Sequence, residues 1–375
     1  MYGIEYEPLD EFEEKKIIDI ETLKEFAEIY TNKNPHNKIR FKSVTAEENP
    51  KIVLEEIDEY HKSINVNVTE SDDHYSVSLE RKIKRSDIEG GERTIQGNFA
   101  LFQSDYNENI WTAITGHGAD FFDKGILYLF KKLNPEIYSF FLSTDEIYQI
   151  LLNIEENVQG EIIIKDSITY NYQGEGDESH ETHPFRHIFA EIDEDEEYLD
   201  KLVFVVKPRK DNDDYFEGYL TRDGQMKFIG GNITSFFEKL VPQVEVTAEQ
   251  RMELFNEKIE SAKEGNYEEV HVTFEEPVFQ GGMTNQKLIN AVSQMAKTSV
   301  TVFHSNPYLH MSILDYRDGS SFDIFVTDDD LVEIALGHRG TSSSLMRVAE
   351  QISSHFKQGK IHPGKDRTYE FEDFF

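Results

Sequence analysis

Residues 322–356 read FDIFVTDDDLVEIALGHRGTSSSLMRVAEQISSHF, and this stretch decides the class of fold. Two short segments flank the acidic turn 328–330, and both are rich in the branched and aromatic residues typical of strands. After the glycine-containing segment 337–340, apolar residues recur at helical spacing, namely Leu345, Val348, Ile352 and Phe356. The stretch therefore predicts an antiparallel hairpin followed by an amphipathic helix.

The same order of elements is predicted at two earlier places. Residues 99–130 and 215–240 each contain a strand, a polar turn, a second strand, a glycine-containing loop and an amphipathic helix. Three such segments favour antiparallel hairpins covered by amphipathic helices, and hence an α+β fold rather than a doubly wound parallel sheet. Side-chain identity between the segments is slight, so chance recurrence of a common arrangement stays open as the alternative to true repetition.

The length of 375 residues favours two or three domains. We expect an N-terminal α+β domain over 1–92, a central α+β domain over 93–243, a C-terminal α+β domain over 244–367 and an acidic, aromatic tail over 368–375. Within the central domain, the acidic stretch 173–200 is typical of an exposed loop that enters a solvated helix.

Three further helices are predicted. Apolar residues at helical spacing indicate amphipathic helices over 20–32 and 51–62. Thr247 at the N-cap and Gln250 at the third helical position form a predicted capping box for a helix that extends to about residue 263.

The composition excludes several classes of function. The net charge of −35 repels phosphate backbones and anionic lipid, so neither generic duplex nucleic-acid binding nor membrane binding is expected. This acidity fits adaptation to a salty cytoplasm, as in a halophile, or a surface that imitates nucleic acid. The absence of cysteine excludes disulfides, thiolate metal sites and a cysteine nucleophile. With no leader segment and no long apolar run, we expect a cytoplasmic protein.

Three histidines within eight residues form a candidate metal site. They are His180, His183 and His187, and acidic residues flank them. Imidazoles combined with a carboxylate are ligands that suit zinc, nickel or iron. Pro184 prevents one continuous helix from carrying all three side chains, so a shared site would require a turn. A polar surface loop without metal is the alternative, and the sequence identifies no cofactor.

A second candidate site lies at a predicted strand end. His304 follows the apolar strand 300–303, and His310 begins the next strand. The pair resembles the paired histidines of phosphodiesterases of the phospholipase D family, which implies that His304 and His310 are catalytic, as nucleophile and general acid. That family places a lysine two residues after its histidine, whereas Ser312 occupies this offset here. A polar turn with hydrogen-bonded histidines is the alternative.

The loop before the last predicted helix is a candidate anion site, comprising His338, Arg339, Gly340, Thr341, Ser342 and Ser343. Free backbone N–H groups at a helix N-terminus, hydroxyl groups and an arginine are what an anion needs. Basic residues outnumber acidic ones between 337 and 367, unlike in the rest of the chain. The alternative is an ordinary serine N-cap with basic residues near the helix C-terminus.

The C-terminal residues 368–375 have the composition of a docking peptide. Phe371, Phe374 and Phe375 are candidate anchors for a pocket on a partner protein. The spacing is similar to that of the box that binds the replication sliding clamp, although Thr368 stands where a glutamine is expected and Phe371 where an aliphatic residue is expected. A last edge strand packed on the protein's own sheet is the alternative.

Two functions follow as hypotheses. The first is a non-catalytic accessory or adaptor protein that acts through protein–protein contacts, in nucleic-acid metabolism or genome defence. The second is a phosphate-binding enzyme, similar to a phosphodiesterase or nuclease, with its site in the C-terminal domain. The enzyme requires His304, His310 and the loop 338–343 to converge in one concave site, whereas the adaptor requires an exposed aromatic patch.

Overall fold

A computed structural model describes residues 38–71, 74–84, 91–171, 176–180, 182–194, 197–209, 214–263, 269–274, 277–279, 282–337, 339–355 and 359–364. These residues form helices and antiparallel sheets, which confirms the predicted mixture of the two. The predicted helix 20–32 lies outside the described residues. The predicted helix 51–62 is present as Pro50–Tyr60.

The chain divides into two compact units. The first comprises residues 1–170, 176–195 and 199–249, and the second comprises residues 250–375 with the short segments 171–175 and 196–198.

The first part of the chain, up to residue 263, contains twelve strands in its described portion. The elements are β1 (Arg40–Ala46), α1 (Pro50–Tyr60), β2 (Ile64–Glu70), β3 (His74–Lys84), β4 (Glu92–Gln103), β5 (Ile110–Thr115), α2 (Ala119–Phe121), a π-helical turn (Phe122–Ile126), α3 (Leu127–Leu133), β6 (Ile137–Tyr138), α4 (Thr144–Val158), β7 (Gly160–Asn171), β8 (Gly176–Ser179), β9 (His183–Pro184), α5 (Phe185–Glu194), β10 (Glu197–Pro208), β11 (Phe216–Thr221), β12 (Gln225–Gly231), α6 (Ile233–Lys239) and α7 (Val241–Lys263).

The remaining elements belong to the second unit. They are β13 (Glu269–Thr273), α8 (Gly282–Ser293), β14 (Thr298–His304), β15 (Leu309–Asp315), β16 (Ser321–Asp328), β17 (Leu331–Leu336), α9 (Ser342–His355) and β18 (Lys360–Pro363). Within the stretch 322–356, the β16–β17 hairpin extends to Leu336 and α9 comprises Ser342–His355.

The strands form two sheets. The first has the order β2-β3-β4-β5-β1-β12-β11-β10-β7-β8, with β6 paired to β1 and β9 paired to β7. The second has the order β14-β15-β16-β17-β13-β18. The domain boundary expected at residue 92 falls between β3 and β4, which pair along their whole length in one sheet. The main division between the two units lies at residue 249, within α7, and the expected division into three domains stays a prediction.

Residues 40–138 and 269–363 follow the same path. Each runs through a strand, a helix, four strands, a helical segment and a short strand, and in each the first strand lies between the fourth of the four strands and the last short one. Residues 144–239 also run from a helix through four long strands to a helix, with β8, β9 and α5 inserted, and their last strand, β12, pairs with β1. Each predicted hairpin–helix segment ends one of these three paths, although true repetition stays a prediction.

Strand β1 is covered on both faces. Val44 belongs to the apolar core that also contains Leu54 of α1 and Leu129 of α3. Phe41 points to the opposite face, where its ring centroid lies 5.1 Å from that of Phe236 in α6. This two-sided burial explains why β1 is buried almost throughout, since alternate residues of a strand point to opposite faces.

Two local predictions differ from the structure. The capping box at Thr247 is wrong, because α7 already begins at Val241 and the Thr247 hydroxyl donates to the carbonyl of Gln243 one turn earlier, at 2.9 Å. Pro242 is accommodated because the first helical turn needs no hydrogen bond from that residue. The acidic stretch 173–200 contains α5, whose buried Phe185 and Ile188 give it an apolar face. Every helix in the described ranges is too short or too polar to cross a lipid bilayer.

Candidate functional site

The two histidines of the predicted catalytic pair meet at one edge of the second sheet. His304 of β14 lies opposite His310 of β15, after an irregularity in the register between Val302 and His304. Nδ1 of His304 lies 3.1 Å from the carbonyl oxygen of Tyr308 and 3.3 Å from the backbone nitrogen of Asn306. His304 therefore bonds within its own turn, as the structural alternative expected.

His310 lies between two aromatic rings. Its ring centroid is 4.4 Å from that of Phe325 of β16, in a stacked arrangement, and 4.7 Å from that of Phe303. Its Nε2 lies 3.5 Å from a carboxylate oxygen of Asp323. The three rings lie side by side across β14, β15 and β16, with the Phe303 ring tilted by 35° to that of His310.

The outer end of this stack is exposed. Phe303 is 62% exposed, Tyr308 58% and Val302 40%, and all three belong to β14 or to the turn after it. Strand β14 is also the terminal strand of its sheet in the part of the chain that the structure describes. We call Phe303, Tyr308 and His310 the β14 surface. It combines exposed apolar rings with a strand edge, two features that mark protein contacts.

The predicted anion loop is engaged internally. The Thr341 hydroxyl donates to a carboxylate oxygen of Asp318, and the Ser344 hydroxyl donates to Asp315 at 2.6 Å. Ser342 and Ser343 are buried, whereas Arg339 is exposed. His338 lies outside the described residues. The Ser342 hydroxyl donates to the side-chain oxygen of Asn256, and the buried Ser343 hydroxyl has no hydrogen-bond partner within the described residues. Because Thr341 and Ser344 already bond carboxylates, an incoming anion would meet negative charge there.

The histidine pair and the loop lie far apart. His310 begins β15 and faces the aromatic stack, whereas Asp315 ends β15 and faces the buried side. Five strand residues span about 16 Å. The groups that the enzyme hypothesis requires in one site are therefore separated along the strand and across the sheet.

The three histidines of the predicted metal site fall into two groups. His180 lies with Asp166 and Glu178 beside the β7–β8 hairpin, where its Nδ1 is 3.3 Å from Asp166. His183 and His187 pack against each other with ring centroids 5.0 Å apart. Nε2 of His187 lies 3.5 Å from Glu191. His180, Asp166 and Glu178 could hold a metal at the surface.

A second group of possible ligands was missed at the sequence level. In the second unit, Glu269, His271 and Glu333 place one ligand atom each within 4.8 Å of one another. Nε2 of His271 lies 3.2 Å from Glu269 and 3.9 Å from Glu333. The sequence alone indicates only that Glu269 and His271, two residues apart on a strand, share one face. Glu333 joins them because β17 pairs with β13 at that position.

The tail residues Phe371, Phe374 and Phe375 lie outside the described residues. No protein-family model matches the sequence, and no curated protein matches it either, so no function is transferred from a relative.

Proposed function

We propose that this protein is a non-catalytic accessory subunit that binds a partner protein through the β14 surface. The observation that carries the proposal is the aromatic stack of Phe303, His310 and Phe325, whose outer ring is 62% exposed on the terminal strand of its sheet. An exposed large aromatic ring has a free-energy cost in water that burial against a partner removes.

The occupant that fits is an extended, basic segment of the partner. The outer edge of β14 offers backbone N–H and C=O groups to which an added strand can bond, while Phe303 and Tyr308 offer apolar contacts. The net charge of −35 attracts a positively charged segment and accelerates its association. Basic segments are typical of nucleic-acid-binding proteins, which agrees with a role in nucleic-acid metabolism or genome defence.

The phosphodiesterase alternative has weaker support. It needs His304, His310 and Arg339 around one substrate, and these groups lie near opposite ends of β15. The tail anchors Phe371, Phe374 and Phe375 stay a second predicted contact with the partner, and the histidine metal site stays a prediction.

A photo-crosslinking experiment tests the proposal. A photoreactive phenylalanine analogue at position 303 of the full chain is irradiated in the source cells, and the captured protein is identified and then purified. Its Kd is measured against the wild type and Phe303→Asp. We expect Phe303→Asp to weaken binding at least tenfold, because a charge replaces an anchor that must be desolvated.

Tyr60→Asp is the matched control, since Tyr60 is an exposed aromatic residue of α1 in the first unit. This variant should bind like the wild type. Equal affinities for wild type and Phe303→Asp, or the same captured protein with the analogue at position 60, would overturn the proposal. Hydrogen exchange adds a second readout, because strand addition should protect the outward amides of Thr298–His304.

A further inference from the structure

Four basic side chains and a tyrosine share one face of the first sheet. Arg40 of β1 lies opposite Lys227 of β12, and Lys227 lies opposite Tyr219 of β11. Residues directly opposite each other on neighbouring strands point to the same face. Val203 of β10 lies opposite Tyr219, so Lys201, two residues earlier, lies on this face as well. The basic cluster comprises Lys38, Arg40, Lys201, Lys227 and Tyr219.

The tyrosine ring is the centre of the cluster. Nζ of Lys227 lies 5.2 Å from the ring centroid of Tyr219, and Nζ of Lys201 lies 5.6 Å from it. The guanidinium of Arg40 lies 5.8 Å from the ring of Phe122 in the π-helical turn. All five members are half-buried. Their charges are therefore screened less by water than those of surface lysines.

The positive charges of the cluster form no direct ion pair with any described residue. Among the residues that the structure describes, no carboxylate oxygen lies within 4.0 Å of Lys38, Arg40, Lys201 or Lys227. The negative charge of Asp123, in the π-helical turn, favours the charged forms of both Arg40 and Lys227.

Two other aspartates nearby balance the cluster only in part. The half-exposed Asp223 carboxylate is held by Lys42, at 3.7 Å, and by the Thr221 hydroxyl. Burial raises the pKa of Asp200, and the Asp223 charge raises it further, whereas the charges of Arg222 and Lys201 lower it, so Asp200 offsets part of the charge of Lys201. Within the described residues, the four cations of the cluster still outnumber Asp123 and Asp200, which leaves a local excess of positive charge in a strongly acidic protein.

The pKa of Lys227 reflects its burial and the repulsion within the cluster. Burial, together with repulsion from Arg40, Lys38 and Lys201, lowers the pKa of Lys227 to about 8. A bound anion would remove the repulsion and favour the charged amine. Burial raises the pKa of Tyr219, so its hydroxyl stays protonated and can donate a hydrogen bond.

The donors of the cluster suit one class of ligand. The arginine fork can bind two oxygens of a phosphoryl group at once, while lysines contribute point charges. Nε of Arg40 is buried and has no hydrogen-bond partner in the described part of the chain. The four positive charges of the cluster are more than a ligand with a single carboxylate would neutralise. We propose that the basic cluster binds a small phosphorylated molecule that carries several negative charges.

Isothermal titration of the full chain with inorganic pyrophosphate, at low salt and pH 7, tests this proposal. We expect one binding site, and we expect Lys227→Gln to weaken binding at least tenfold. Tyr219→Phe should weaken pyrophosphate binding several-fold. Because this variant keeps the ring and its packing, it tests the site even if Lys227→Gln fails to fold.

Lys131→Gln is the matched control, because it removes the same charge from an exposed position on α3. It should bind pyrophosphate like the wild type. The proposal fails if the wild type shows no binding, if the two lysine variants bind equally, or if citrate binds as tightly as pyrophosphate. All of these variants lie in the first unit, whereas the β14 surface belongs to the second, so failure here is distinguishable from failure of the proposed function.

The pH dependence gives a separate readout. Lys227 faces Arg40 and Lys38 from β1 and its approach, Tyr219 from β11, Lys201 from β10 and Asp123 from the π-helical turn. As pH rises from about 7 to about 9, Lys227 loses its charge and wild-type affinity should fall. The Lys227→Gln variant should lack this fall, and an equal fall in both would contradict the role of Lys227.

Discussion

Glu245 of α7 is a buried carboxylate with two hydroxyl partners. Its oxygens accept hydrogen bonds from Thr112 at 2.6 Å and from Ser104 at 3.0 Å. Burial raises its pKa, and the two hydrogen bonds offset only part of that effect. A raised pKa means that the stability contributed by Glu245 is present below the ordinary pKa of glutamate and is lost as pH rises through the folded-state pKa.

We therefore expect Glu245→Gln to gain stability relative to the wild type as pH rises from about 4 to about 7. Urea unfolding at several pH values measures this difference. The exposed Glu253 of the same helix supplies the control, since Glu253→Gln should show little such trend. A Glu245→Gln difference that does not change with pH would contradict the interpretation.

Asp315 links β15 to α9 through its side chain. It is almost fully buried, accepts a hydrogen bond from Ser344 at 2.6 Å and forms an ion pair with Arg347. Asp315→Asn keeps the shape but leaves the Arg347 charge without its partner, so we expect a loss of about 2–4 kcal/mol in the free energy of unfolding. Asp323→Asn, at an exposed site, should lose less than about 1 kcal/mol. Equal losses in urea titrations would refute this role.

At the scale of elements, helix α4 begins with a complete capping box. The Ser143 hydroxyl accepts a hydrogen bond from the Glu146 backbone at 3.1 Å, and the Glu146 carboxylate accepts one from the Ser143 backbone at 2.7 Å. We expect Ser143→Ala to lower the free energy of unfolding by about 1 kcal/mol, because a helix N–H loses its partner. Ser143→Thr should retain most of the stability. A Ser143→Ala variant as stable as the wild type in urea titrations would mean that the cap contributes nothing.

The sequence predicts individual hairpins and helices better than it predicts which strands pair with one another. The hairpin at 322–336 and the helix after it are recognisable because periods of two and 3.6 residues are local properties. The position of β1 between β5 and β12 is not predictable in this way, since Arg40 pairs with Lys227 far along the chain. For the same reason, the sequence does not predict that Glu333 lies opposite His271 or that Phe325 lies opposite His310. The β14 surface and the basic cluster both depend on which strands become neighbours in the sheet.

For the molecule as a whole, the charge of −35 predicts an unusual response to salt. Raising NaCl from about 0.05 M to about 1 M shortens the screening length to about 3 Å and weakens repulsion among carboxylates. We expect Tm to rise by roughly 5 °C in a thermal scan. A constant or falling Tm would mean that self-repulsion does not limit stability, and would count against adaptation to a salty cytoplasm.

The placement of β1 also constrains how the protein can be made. On the ribosome, β1 (Arg40–Ala46) emerges long before its partner strand β12, which begins only at Gln225. At synthesis rates of about 5–20 residues per second, the interval between them lasts on the order of 10–40 s. Throughout that time, Arg40–Lys42 of a strand that is buried in the finished fold have no native partner on one side, so nascent chains are expected to depend on a chaperone or to remain incompletely folded until the second half of the sheet has been translated.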